Sequence, residues 1–263
     1  MKVLFSKLFT KKAIFRGLVV FFSVVLLVSA GFLADYIIGS IKQRQQFKEL
    51  SDLIGSNGEK YAYVIHPDTG ETVKILEEYT TLFRLNPDLI GWIKINNTII
   101  DYPVMHTPDR QNYYLQRDFY ERYSKHGTIY LKETADINYP SDNLILFGHR
   151  MNDGTMFTDL LKYKEKEFFL QNPTISLNSL TDYRNYQIIA VFEVDTADSS
   201  YFHYHSFVDG NTHSFDAYVL RCKQLSLYDT GVTAVDGDKL LTLSTCDDDT
   251  ETGRFVVVAK QIK

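Results

Sequence analysis

Cysteine is scarce in this chain. Only Cys222 and Cys246 occur in 263 residues. A disulfide-stapled secreted domain carries more, and pairing these two would give a single structural bridge at most. Cys222 lies within residues 215–227, which read as an amphipathic helix, and there it fits a small buried apolar residue. Basic charge is also short. Lys and Arg total 28 against 33 Asp and Glu, for a net charge of −5 and a pI near 5.8. No Lys/Arg-rich stripe occurs outside the N-terminus, so nucleic acid is excluded as the main partner. Internal repeats and low-complexity segments are absent. Aromatic residues are plentiful, with 18 Tyr and 18 Phe, enough to build a core in a domain of good size.

Charge is missing altogether from residues 17–34, GLVVFFSVVLLVSAGFLA. Extended to Ile38 and interrupted only by Asp35, the run reaches the roughly 20 residues that span a bilayer core. Lys2, Lys7, Lys11, Lys12 and Arg16 precede it, and no acid does. The positive-inside rule therefore keeps residues 1–16 in the cytoplasm and puts everything after Ile38 outside. The alternative is a signal peptide cleaved near Val28-Ser29-Ala30. Because the apolar run continues past that site, an uncleaved single-pass anchor over 17–38 is the expectation.

Residues 39–79 read as an extracellular stalk with a helical extension. Residues 41–54 suit a helix, and 55–70 read as turns. Val73, Leu76, Tyr79, Leu82 and Phe83 recur at helical spacing, with Pro87 just past the end. Short strands are then predicted at 91–95, 99–104, 128–131, 144–147, 174–177, 186–194, 240–245 and 255–260. About eight strands with few long helices imply a mainly β fold, an antiparallel barrel or sandwich, over 80–263. Short helices are expected at 156–161 and 164–170. A long excursion, 195–239, carries the helix around Cys222, and an insertion of that length is usually functional.

The chemistry concentrates at strand ends. Leu241-Thr-Leu-Ser-Thr-Cys246 places a cysteine at the end of an apolar strand. An acidic loop, 247–251, leads on to Arg254, which opens the next strand. Asn143-Leu-Ile-Leu-Phe-Gly-His149 is another strand ending in a reactive side chain. A thiolate attacks carbonyls well, and a free thiol titrating near 8.5 needs a base or a positive neighbour to form it. Arginine keeps its proton and suits a fixed donor to a developing oxyanion. Histidine exchanges a proton near neutral pH and suits the acid that protonates a leaving amine. Taken singly, each has a plainer reading: a structural cysteine, a turn histidine, an arginine paired with the acids at 247–251. No motif marks an Asp or Asn that would orient the imidazole.

Together, Thr242-Leu-Ser-Thr-Cys246, Arg254 and the upstream Gly148-His149 resemble the sortases, surface cysteine transpeptidases of Gram-positive bacteria. The resemblance covers about 80–263 plus the anchor. It is most like class B, as in Asn86-Pro-Asp-Leu-Ile-Gly-Trp-Ile, Ile100-Asp-Tyr-Pro-Val, Tyr114-Leu-Gln-Arg-Asp-Phe and Leu146-Phe-Gly-His-Arg-Met. It implies a sortase-like β-barrel, with Cys246 as nucleophile, His149 as general acid/base and Arg254 as oxyanion or substrate donor. It also implies a thioacyl-enzyme formed on the threonine of a C-terminal sorting motif in a secreted protein. An amine of a peptidoglycan precursor or of a pilin lysine then resolves that intermediate, without any cofactor. Ser244, on the same strand face as Cys246 by alternation, and Leu115 are the expected substrate-binding residues. Four residues before Leu115, where class B relatives often have Asn, this chain has Gln111 with Asn112 beside it, and neither is assigned.

Two plainer site readings are set aside. His203, His205 and His213 hint at zinc, with 203 and 205 on one strand face, but no Cys/Glu set at zinc spacing accompanies them. The acidic run from Asp247 lacks the glycine position and the closing Glu of an EF-hand loop, so it is expected to be a solvated loop beside the site. Non-enzymatic surface assembly and plain peptidase activity are the rival functions.

Overall fold

The computed structural model describes residues 11–55, 60–246 and 252–262. The chain divides into two compact units, residues 1–45 and 46–263. The first is dominated by the helix Lys11–Asp52, whose last turns belong to the second unit. No proline interrupts this helix. Its most apolar stretch reaches a mean hydropathy of 2.5, long and apolar enough to cross a membrane. In the second unit Phe47 and Leu50 of the same helix are buried, and the Phe47 ring lies 4.7 Å from that of Tyr102.

A two-stranded hairpin follows, β1 (Tyr61–Ile65) with β2 (Thr72–Leu76), antiparallel. This corrects two expectations. The supposed turn region 55–70 contains β1, and its Gly-Ser-Asn-Gly tract lies mostly outside the described residues. The spacing of Val73, Leu76, Tyr79, Leu82 and Phe83 is not one helix. Val73 and Leu76 belong to β2, Tyr79 closes a 3-10 turn, and only Thr80–Leu85 is α-helical. Alternating Val73 and Ile75, both β-branched, favour the pleated strand, and β1 supplies the partner that overrides the helical period.

The remaining strands close a barrel, in the order β10–β8–β7–β3–β4–β5–β6–β9. They are β3 (Leu89–Lys94), β4 (Asp101–Met105), β5 (Ile129–Leu131), β6 (Asn143–Phe147), β7 (Thr174–Ser179), β8 (Asn185–Asp195), β9 (Leu240–Cys246) and β10 (Gly253–Ile262). All eight predicted strands are present, with ends moved by at most two residues. The barrel is not wholly antiparallel, however. β4 pairs β5 in parallel, and β6 pairs β9 in parallel. Parallel neighbours need long crossovers, and residues 106–128 and 148–239 supply them. The 195–239 excursion is thus part of a crossover.

Inside the barrel, Ile93, Val104, Ile129, Leu146, Leu177, Leu241, Leu243, Phe255 and Val257 pack in one core. Each such side chain, fully buried, contributes about 1.5–3 kcal/mol. Short helical segments Phe157–Lys164 and Lys166–Gln171 follow β6. A second apolar layer lies outside β8, β9 and β10. There the helix Thr212–Leu225 buries Phe215, Tyr218, Val219 and Cys222, one stripe at helical spacing, in a cluster with Phe192, Leu240, Val256 and Val258. A reciprocal capping box starts this helix. Asn211 Oδ1 accepts from Ser214 N at 3.0 Å, and Ser214 Oγ accepts from Asn211 N at 2.9 Å. Such a cap stabilises a helix by about 1 kcal/mol.

Candidate active site

Alternation along β9 explains its motif. Leu241 and Leu243 enter the barrel core, so Thr242, Ser244 and Cys246 face the outer layer. The first two are buried and hydrogen-bonded. Thr242 Oγ1 donates to Asn143 Oδ1 at 2.8 Å and lies 3.0 Å from the Tyr218 hydroxyl. Ser244 Oγ lies 2.7 Å from the Tyr204 hydroxyl. Only the last residue of the row, Cys246, is half-buried rather than closed off, and its thiol is free.

Strand register brings the other candidates to it. Arg254 on β10 is the direct antiparallel partner of Cys246. Directly opposed residues share a face at Cβ separations of about 4.5–5.5 Å. On the other side, Phe147 of β6 pairs Ser244 in parallel, and Gly148 N extends the ladder to Ser244 O at 3.2 Å. His149 follows directly, two residues past the last β6–β9 pair, as Cys246 lies two past Ser244 on β9. Gly148 is needed here, because an added Cβ would collide with Ile129 and Phe157 side chains.

His149 is half-buried. Its Nε2 lies 2.7 Å from the Leu115 carbonyl oxygen. A carbonyl only accepts, so Nε2 carries the hydrogen and Nδ1 is the nitrogen left for proton exchange. Burial holds the imidazole below its usual pKa, and His126 pushes it the same way, against the Leu115 bond. The orienting group absent from the sequence reading is thus a backbone carbonyl. Arg254 Nη1 donates to its own neighbour's carbonyl, Gly253 O, at 2.8 Å, and the guanidinium also acts on the Tyr204 hydroxyl. Burial is the chief cause that pushes the Tyr204 hydroxyl's pKa up, with the Ser244 bond and the Arg254 charge opposing it.

Of the two substrate-binding expectations, Leu115 is half-buried beside His149. An open pocket of about 370 Å³ next to it is lined by Asn112, Tyr113, Leu115, Gln116, Arg117 and Tyr123. Ser244 is on the predicted face, but it is only 2% exposed and bonded to Tyr204. Gln111 is exposed, while Asn112 takes a left-handed backbone (φ +54°) and accepts from the Tyr130 hydroxyl at 2.9 Å. His203 and His205 are not on a strand. They flank Tyr204 around a 3-10 turn, Tyr204–Ser206, with ring centroids 6.0 Å apart. The acidic loop 247–251 lies outside the described residues.

Tyr204, Tyr218 and Asn143 were not singled out from sequence. Tyr204 lies 40 residues from its partner Ser244, and no local pattern signals such a contact. The parity of Thr242, Ser244 and Cys246 was the one usable signal, since polar residues facing an apolar layer demand partners.

The Sortase domain family model matches residues 93–262. Sortase B of Listeria monocytogenes is 36% identical over 192 residues, covering 72% of this chain and 76% of that protein. The structure of a Staphylococcus aureus sortase B–substrate complex superposes with a TM-score of 0.73 at 26% identity, covering 86% of this chain and 99% of that one. A crystal structure of sortase B complexed with triglycine gives a TM-score of 0.71 at 25% identity, covering 85% and 99%. This chain, with its eight-stranded barrel and its cysteine at the end of β9, belongs to the sortase family and is most like the class B sortases.

Proposed function

We propose that this protein is a membrane-anchored extracellular cysteine transpeptidase, of the thiol-peptidase type, acting on secreted proteins that carry a C-terminal sorting motif. One observation carries the reading. Cys246 and Arg254 are direct cross-strand partners, and β6, which leads straight into His149, runs parallel beside the same strand β9.

Neutral His149 takes the thiol proton at Nδ1, and Cys246 Sγ attacks the threonine carbonyl carbon of the sorting motif. Arg254 donates to the oxygen as it becomes negative. The C–N bond then breaks, and the protonated imidazole returns its proton to the departing amine. A thioester to Cys246 remains. An acceptor amine, from a peptidoglycan cross-bridge or a pilin lysine, attacks it and releases the thiol. The substrate and triglycine complexes of other sortase B proteins support a peptide donor and an amine acceptor. Leu115 walls the peptide groove, and Ser244 supports the peptide through its contact with Tyr204. The catalytic domain is 80–263 and the stalk and extension 39–79. The helix over 17–38 is a single-pass anchor, with the basic residues 1–16 cytoplasmic.

The test uses the full-length chain in detergent, with sorting-signal peptides, an amine acceptor and Cys246→Ala as control, read by mass spectrometry. Cleavage after threonine with amine-joined product, and none from Cys246→Ala, is the expected result. Hydrolysed product alone, whatever the acceptor, would make the protein a peptidase. Turnover undiminished in Cys246→Ala would refute the thioester.

A further inference from the structure

Beside His149 lies a second buried histidine that the reaction above does not use. His126 Nε2 lies 2.9 Å from Asp153 Oδ2, and the two side chains are only 7% and 8% exposed. Each belongs to one of the two segments that hold His149. Asp153 follows His149 by four residues, in the loop that runs on to Met156. Several bonds close that loop. Arg150 and Met156 form an isolated bridge, Phe157 N donates to His149 O at 2.9 Å, and Met151 N donates to Thr158 Oγ1 at 2.9 Å. Asp153 Oδ1 accepts from Thr155 N at 3.0 Å and from Thr155 Oγ1 at 2.6 Å. At Met156 the backbone takes φ +58°, a region that side-chain-bearing residues rarely occupy, so the loop's shape depends on what surrounds it.

His126 belongs to the other segment. Its neighbour Gly127, at φ +62°, presses so closely on Leu115 and Tyr114 that an added Cβ would collide with the Leu115 carbonyl oxygen. Thr128 N donates to Tyr114 O at 3.0 Å. The 126–128 stretch therefore backs the same carbonyl that receives the His149 proton. Two rungs join the segments: Leu115 O to His149 Nε2, and His126 Nε2 to Asp153 Oδ2. Removing the second leaves a buried carboxylate without its histidine and frees the spacing that sets the first.

We propose that the His126–Asp153 pair is a positioning device for His149, holding its ring on the Leu115 carbonyl so that the opposite nitrogen serves Cys246. This rests on the acid/base role proposed for His149. His126 and Asp153 touch no reacting atom; they act through His149.

The experiment compares full-length wild type, His126→Ala and His126→Gln, each labelled with nitrogen-15 histidine, in detergent. The glutamine amide can stand where Nε2 stands and still donate to Asp153. In His126→Ala, kcat is expected to fall about 10- to 100-fold, the scale of a small misplacement of a reacting group, with KM little changed. His126→Gln recovers most of that loss. The His149 nitrogen signals, set to the Nε2–H tautomer in wild type, become a mixture in His126→Ala and revert in His126→Gln. Unchanged kcat and unchanged His149 signals in His126→Ala would overturn the proposal. So would a rise in KM at constant kcat, or a loss that glutamine does not rescue. If wild type turns over no peptide, the transpeptidase reading fails separately, and the nitrogen signals alone decide the positioning role.

Discussion

The layer outside β8, β9 and β10 is closed at one end and open at the other, and each end holds one of the two cysteines. At the closed end the Thr212–Leu225 helix seals Cys222 completely, among Tyr218, Val219 and Leu240. Burial drives its thiol far above the usual cysteine range. At the open end Cys246 is half-buried and faces Arg254 across the strands. Both are free cysteines on one layer, so the difference lies in what covers them. Along the outer face of β9, Leu240 packs in the helix cluster, Thr242 meets Tyr218, and Ser244 meets Tyr204. Cys246 comes where that cover stops. The polar residues of the motif anchor the strand, and chemical availability falls to its last member.

Thiol alkylation tests this contrast most directly. In the folded full-length protein, iodoacetamide should modify Cys246 at least about 10³-fold faster than Cys222, because a sealed thiol reacts only when its surroundings open. Mass mapping reads the two sites, and the rates should converge in urea. Equal labelling in the native protein would erase the distinction between the ends. Arg254→Lys sharpens it from the open side. Lysine keeps the charge but loses the planar fork, and kcat should drop about 10²-fold, the scale of one lost oxyanion donor. Wild-type kcat in that variant would remove Arg254 from the reaction. From the closed side, Cys222→Ala should lower stability by about 1 kcal/mol in denaturant titration while leaving kcat unchanged. A fall in kcat without loss of stability would give the buried cysteine a role in the chemistry.

These opposite fates were partly legible in the sequence. Apolar–polar alternation marked β9, and the helical stripe around Cys222 was visible in its spacing. All eight barrel strands showed as short apolar runs between turn residues, because a strand's inward face must be apolar whatever its partners. The pairing order did not show. The parallel joins of β4 to β5 and β6 to β9 depend on crossovers, and crossovers leave no periodic trace. Cys246, His149 and Arg254 stood out because each ends or opens a strand. The groups that hold them did not. A backbone carbonyl such as that of Leu115 has no sequence signature, and the His126–Asp153 contact spans 27 residues. The hairpin β1–β2 was misread because Val73, Leu76, Tyr79, Leu82 and Phe83 fit a helical period across what is a strand, a 3-10 turn and a short helix in succession.

The smallest expected effect is a difference in acid sensitivity between the two ends. His149 and His205 both belong to the open end, and both are held below the usual 6.5, in each case chiefly by burial. Lys132 and His203 add to the effect at His205, and His126 adds to it at His149. A histidine held down in this way stays neutral in the folded chain at a pH where the unfolded chain has already taken the proton. Between the folded value and 6.5 the unfolded state therefore binds more protons, and stability rises with pH. The contribution is complete above 6.5 and is lost as the pH falls through the folded values. Backbone hydrogen exchange, corrected for intrinsic rates, should show protection falling between pH 7 and pH 5 around Leu115, Gly148 and the Tyr204–Ser206 turn. Thr212–Leu225 should hold its protection over the same range. Uniform loss across both regions would mean that acid acts on the barrel as a whole, and the two ends of the layer would then be distinguished by solvent access alone.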